Sequence, residues 1–184
     1  MGYFILGTAA ALAMLTTAAL AQQHPGRPAS SSRAAPAAPA APREIGKFED
    51  WTAATHQEAG QTVCYAFTRA SSSTPPLPGR GDVVLTVTER PGTARDAVAL
   101  SAGFAYAPNA AVSAQIDQAT LAFYTAQRSA FARDGHAMTL AMERGRTAVI
   151  RSPGLRNTAV TDTFSLRGFS PAYAAMNKAC SGRS

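Results

Sequence analysis

Apolar and polar residues alternate with period two along much of the chain, the signature of strands with one face in a core. Val63, Tyr65 and Phe67 share one face and Cys64, Ala66 and Thr68 the other. Val83, Leu85 and Val87 oppose Thr86 and Thr88, and Pro91-Gly92 then turns the chain. The alternation resumes at Val98, Leu100, Ala102 and Phe104, and again over 112–116 and 121–124. Two further strands are predicted over 146–151 and 158–166, parted by Ser152-Pro153-Gly154, while Ser, Pro and Gly mark residues 71–80 as a loop. Short strands separated by turn signals predict a mainly β domain, an antiparallel sandwich or barrel.

Two helices interrupt the strands. Asp134 is a suitable N-cap for a helix over 135–144 built from strong helix formers, and Gly145 ends it. A second helix is predicted to start with Ser170 as N-cap and Pro171 at its first position. Phe169, Tyr173, Met176 and Cys180 then form one helical stripe, which turns Cys180 toward the sheet. Trp51 and Phe48, large and apolar, are expected to pack in the core rather than to await a partner.

The first quarter of the chain reads differently. Residues 4–20 carry no charge, and Ala19-Leu20-Ala21 offers a small-residue cleavage point. Residues 1–21 are therefore expected to be a secretory signal, although no Lys or Arg precedes the apolar run. No Cys follows the cleavage point to accept a lipid. Residues 22–46 repeat Ala and Pro, which neither propagate a helix nor donate along a sheet, so an extended spacer is expected there. The folded domain is then 47–184.

Export changes the meaning of the remaining composition. The formal charge is +6, with Arg outnumbering Lys by 15 to 2. Outside the cytoplasm this argues against nucleic acid and for weak peripheral attraction to anionic lipid or polysaccharide surfaces. The two cysteines, Cys64 and Cys180, are expected to form a disulfide, because free thiols are uncommon in oxidising compartments. Closing so large a loop contributes on the order of 4–5 kcal/mol by chain entropy.

Candidate chemistry is sparse. His24, His56 and His136 are the only histidines, and none has a ligand partner at metal-binding spacing. No metal or cofactor is expected. A hydrolytic set would have to draw on Ser152, His136 and Asp162 without a Gly-x-Ser-x-Gly elbow. Asp162 shares parity with Val160, Phe164 and Leu166 and so should point inward. A buried carboxylate needs a partner, which Arg156 or Arg167 can supply. Its role is either a ligand-anchoring or acid–base group, or a structural ion pair.

Longer stretches carry a resemblance. Phe48-Glu49-Asp50-Trp51, Val63-Cys64-Tyr65-Ala66-Phe67, Val87-Thr88-Glu89-Arg90-Pro91-Gly92 and Ser101-Ala102-Gly103-Phe104 come in order. Ala141-Met142-Glu143-Arg144-Gly145 follows, then Thr161-Asp162-Thr163-Phe164-Ser165-Leu166-Arg167-Gly168-Phe169-Ser170, and Ala172-Tyr173 through Cys180. Together they resemble the invasion-associated locus B family of bacterial envelope proteins, with departures at Phe131, where relatives carry Trp, and Asn157, where Gly is usual. The resemblance implies an exported β-sandwich of the periplasm or outer membrane, or a secreted one, with no established activity. The expected function is a binding module for an envelope or host-surface protein or glycan. The alternative class is a small periplasmic enzyme or enzyme inhibitor.

Overall fold

The structure is a computed structural model that describes residues 41–92, 95–154 and 158–181. The expected signal segment, most of the expected spacer, Arg156 and Asn157 lie outside the described residues.

Eleven strands and two helices follow one another as β1 (Arg43–Phe48), β2 (Trp51–Glu58), β3 (Gln61–Arg69), β4 (Ser72–Thr74), β5 (Val84–Glu89), β6 (Ala97–Ser101), β7 (Val112–Ile116), β8 (Ala119–Ala126), β9 (Ser129–Ala132), α1 (Gly135–Arg144), β10 (Thr147–Pro153), β11 (Ala159–Ser165) and α2 (Phe169–Ser181). Among the described residues the strands form a single antiparallel sheet, in the order β1-β2-β3-β5-β6-β9-β8-β7-β10-β11-β4. The two ends of this sheet meet. Ser71 N–H donates to Thr163 O at 2.8 Å and Asp50 N–H to Arg167 O at 3.4 Å, while Trp51 Nε1 donates to Ser165 O at 3.0 Å. The layers of the sandwich are thus one sheet folded over upon itself.

The period-two pattern sets the inner face. Cys64, Ala66 and Thr68 of β3 and Leu85 and Val87 of β5 are buried, as are Ile150 of β10 and Val160, Asp162 and Phe164 of β11. Trp51 is fully buried and meets the Phe169 ring edge-on at 4.7 Å. The two residues come from opposite ends of the domain, and rings in this geometry gain beyond their buried area. Phe48 is partly buried against the same core.

Several boundaries depart from the sequence reading. β1 begins at Arg43, inside the stretch expected to be spacer, and pairs with β2 from Arg43↔Thr55 to Phe48↔Trp51. Pro42 is the last proline before it, and beyond Pro42 every backbone N–H can join the ladder. Ile45 falls at a register shift between Glu44 and Gly46, which obscures the alternation. β6 stops at Ser101 because Gly103, with φ +74°, turns the chain so tightly that a Cβ there would meet Gly81 O at 2.6 Å. The second helix starts at Phe169, so Ser170 is within it and not its cap. Gly168 makes the tight entry with φ +85°, and Pro171 is tolerated in the first turn, where its missing N–H has no intrahelical acceptor.

α1 is capped as expected: Asp134 Oδ1 accepts from Ala137 N–H at 2.9 Å. It packs against β6 and β8, while α2 packs against β1, β2, β3 and β5. Cys180 of α2 is bonded to Cys64 of β3, across a sequence separation of 116. The staple pins the last helix to an early strand.

Asp162 is completely buried, and among the described residues its cationic partner is Arg80 rather than Arg167, while Arg156 lies outside the described residues. Arg80, from the loop between β4 and β5, donates through Nη1 and Nη2 to Asp162 Oδ1 and Oδ2, each at 2.8 Å. Ser73 Oγ donates to Oδ1 at 2.7 Å, Arg80 Nε donates to Ala102 O at 2.7 Å, and the guanidinium lies 5.0 Å from the Phe104 ring centre. Arg167 instead pairs with Glu49 at the surface, 2.7 Å away. Sequence proximity misled here, because the partner comes from a Gly- and Pro-rich loop 82 residues upstream.

Two stability predictions follow from these contacts. Asp162→Asn leaves the Arg80 charge buried and unpaired, and should cost about 3–5 kcal/mol in urea unfolding; an unchanged midpoint contradicts the burial. Replacing both cysteines with Ala opens the long loop and should cost about 5 kcal/mol, measured under the same conditions in the absence of reductant.

Candidate functional site

The outward positions of β2, β3 and β5 build a concave surface. Antiparallel register sets Phe67 opposite Thr86 and Tyr65 opposite Thr88, so two aromatic rings face two threonines across the β3–β5 pair. Tyr65 lies 5.9 Å from Phe67, centre to centre, and 5.4 Å edge-on from His56 of β2. Val84 extends the floor, and Ala41 and Pro42 line one side where the chain enters β1. The groove is shallow and open to solvent, with a volume of about 590 Å³. That is within the roughly 300–1,000 Å³ typical of ligand sites. Its lining is mainly apolar, with polar groups at one end: Arg90 Nε is 3.1 Å from Glu58 Oε2, and His56 Nε2 is 3.6 Å from the same oxygen. Burial pushes the Tyr65 phenol pKa above its ordinary value, so the hydroxyl remains a neutral donor and acceptor at physiological pH. Such a surface can hold an extended or planar ligand by ring contacts and orient it through hydroxyls and the Arg90 end.

The groove escaped the sequence reading although its residues did not. The alternation put Tyr65 and Phe67 on one face of β3, but which face was outermost depended on α2 and the disulfide covering the other.

The residues considered for hydrolysis take separate partners. Ser152 Oγ is 3.3 Å from Tyr106 Oη, and Asp162 is engaged by Arg80. The His136 ring meets Asp96 through Nδ1 at 3.1 Å and is otherwise largely exposed. Phe131 of β9, the departure from Trp, stacks on Tyr124 at 5.4 Å. Among the described residues no group of three or more His, Cys, Asp or Glu side chains is placed to hold a metal ion.

A second polar cluster surrounds Asp96, a buried residue with φ +60°. Its N–H donates to Glu89 Oε1 at 2.8 Å, and Tyr173 Oη donates to its Oδ1. Gly135 is required beneath it, since a Cβ there would meet Asp96 O at 1.8 Å. Glu89 is buried at the end of β5, with Arg95 Nε 3.7 Å away. Desolvation pushes the Glu89 pKa above its ordinary 4.5; the bond from Asp96 N–H opposes the rise, while the Asp96 charge adds to it. All these contacts are internal to the fold, and the cluster closes the β5–β6 connection onto α1 and α2.

The sign of this shift gives a prediction. A carboxyl that binds its proton more tightly when folded favours the native state at low pH. That advantage is lost as pH rises through 4.5 toward the raised folded value. Glu89→Gln keeps an acceptor for Asp96 N–H without titrating. It should therefore flatten the melting temperature against pH over this acid-to-neutral window, and an unchanged slope contradicts the shift.

The domain has recognised counterparts. The fold matches the crystal structure of invasion associated protein B from Bartonella henselae with a TM-score of 0.55, over 74% of this chain and 97% of that one, at 15% identity. No curated protein matches the sequence. The model of the invasion associated locus B (IalB) protein family matches residues 51–177. That span runs from the buried Trp51 to the last helix and includes the strands that floor the groove, and the chain belongs to the invasion associated locus B family.

Proposed function

We propose that this protein is an exported envelope protein that works as a binding module, with the groove over β3 and β5 as its contact surface. The observation that carries this reading is the placement of Tyr65, Phe67 and His56 together on an outward sheet face, where an aromatic cluster serves no core. Membership in a family of invasion-associated envelope proteins supports the cellular setting. The uncharged N-terminal run with its small-residue cleavage point supports export, and the disulfide suits an oxidising compartment. No helix among the described residues is long and apolar enough to cross a membrane. The partner is an envelope or host-surface protein or glycan. The enzyme alternative has less support, since Ser152, His136 and Asp162 are each held by other side chains.

Site-specific photocrosslinking in intact cells tests this. A benzophenone side chain at Thr86, on the groove floor, should give discrete higher-mass products with envelope components. The same group at exposed Tyr124, on β8, should not. Equal products at both positions, or none at Thr86, contradict the assignment.

A further inference from the structure

The floor of the groove lies in the interior of the sheet. β3 is paired with β2 on one side and β5 on the other, and β5 is paired with β6. The backbone donors and acceptors of these strands are therefore consumed in ladders. An extended peptide brings its own N–H and C=O at each residue, and each needs a partner when it leaves water. The floor offers none, so strand addition is closed to a peptide here.

A sugar ring has the opposite requirements. A pyranose with equatorial substituents carries C–H bonds on its faces and hydroxyls around its rim, and each hydroxyl both donates and accepts. The face of an aromatic ring is electron-rich and attracts such C–H bonds. Tyr65 and Phe67 stand two residues apart on β3, with centres 5.9 Å apart and ring planes tilted by 30°. They form a nearly flat platform on which rings of a chain can lie, and the groove is open enough to admit them from the side. Thr86 and Thr88, directly opposite on β5, set hydroxyls beside the platform, and His56 and Gln57 stand at its other edge.

Charge completes the match. Among the described residues lining the groove, Arg90 alone carries a formal charge, and Glu58 Oε2, 3.1 Å from its Nε, offsets it. That end of the groove is thus neutral overall, yet it sets donor and acceptor groups side by side, as neighbouring hydroxyls require. A polyanion gains little Coulomb attraction from such a pair.

We propose that the groove binds an uncharged glycan chain of the envelope, built from equatorially linked pyranose rings that stack on Tyr65 and Phe67. This deepens the proposed function and rests on it, since it names the chemistry of the partner. Thr86 and Thr88 bond the rim hydroxyls of the stacked ring, and the Arg90–Glu58 pair takes those of the next.

The test uses the full processed chain and three probes. Cellohexaose and N-acetylchitohexaose are uncharged and equatorially linked, and C6-oxidised cellohexaose is their polyanionic counterpart. In calorimetric titration a neutral hexasaccharide should bind, with an affinity unchanged between about 0.05 and 0.5 M NaCl because no charge is paired. Tyr65→Leu and Phe67→Leu keep an apolar side chain on the strand and so keep the fold. Each should weaken binding about tenfold, the scale of one aromatic contact. Binding of neither neutral probe, an affinity unchanged in both variants, or tighter and salt-dependent binding of the oxidised probe overturns the proposal. Irradiating the protein with benzophenone at Thr86 in isolated cell envelopes separates the two readings. Envelope products that vanish in excess neutral hexasaccharide support both. Products that persist unchanged overturn the glycan and leave the binding module. A hexasaccharide that binds without any envelope product keeps the ligand chemistry and overturns the envelope contact.

Discussion

The fold closes through one buried ion pair. A sheet of eleven strands has two edges, and here its last strands, β11 and β4, return against β2 and β3. At this seam Arg80 reaches inward from the loop after β4 and meets Asp162 of β11 with both terminal nitrogens. Taking two charges out of water is costly, and the pair is tolerable only because both oxygens and all three guanidinium nitrogens are satisfied. No buried side-chain nitrogen or oxygen among the described residues lacks a partner. Full satisfaction makes the pair a specificity device: a register slip of one residue in β11 would turn the carboxylate outward and strand the arginine. The pair therefore holds β11 in register beside β4 and ties it to the loop that leads into β5.

What was readable in the sequence was local. The alternation around Leu85, Val112 and Phe164 needs only neighbours to be seen, and the Asp134 cap lies within three residues of its acceptor. The inward direction of Asp162 followed from its parity with Phe164. Non-local pairing was not readable. Nothing in a Pro- and Gly-rich loop marks Arg80 as a core residue, and Arg167 competed for the role simply by being near. β1 was hidden by a bulge at Ile45, and β4 is only three residues long. The groove was least legible, because a partly buried outward face alternates just as an inward one does. Only α2, stapled over the other side, distinguishes them.

The same two elements serve the core and the groove. β3 presents Cys64 and Ala66 inward and Tyr65 and Phe67 outward, so the strand that anchors the last helix also displays the rings. Whatever binds outside rests on a strand held by a covalent bond and two ladders, one to β2 and one to β5. Rings mounted on so constrained a strand are already oriented, which lowers the ordering cost of engaging a ligand.

The contact of Trp51 with Phe169 has an implication for the order in which the molecule is assembled. Trp51 opens the second strand, yet its ring is covered by a residue of the final helix, and its indole donor is satisfied only by Ser165. A polypeptide threaded from its N-terminus through a narrow passage cannot complete these contacts until nearly its whole length has emerged. Early strands must wait, unlatched, for the tail. The topology thus delays commitment to a compact state, a property compatible with linear transport of an unfolded thread.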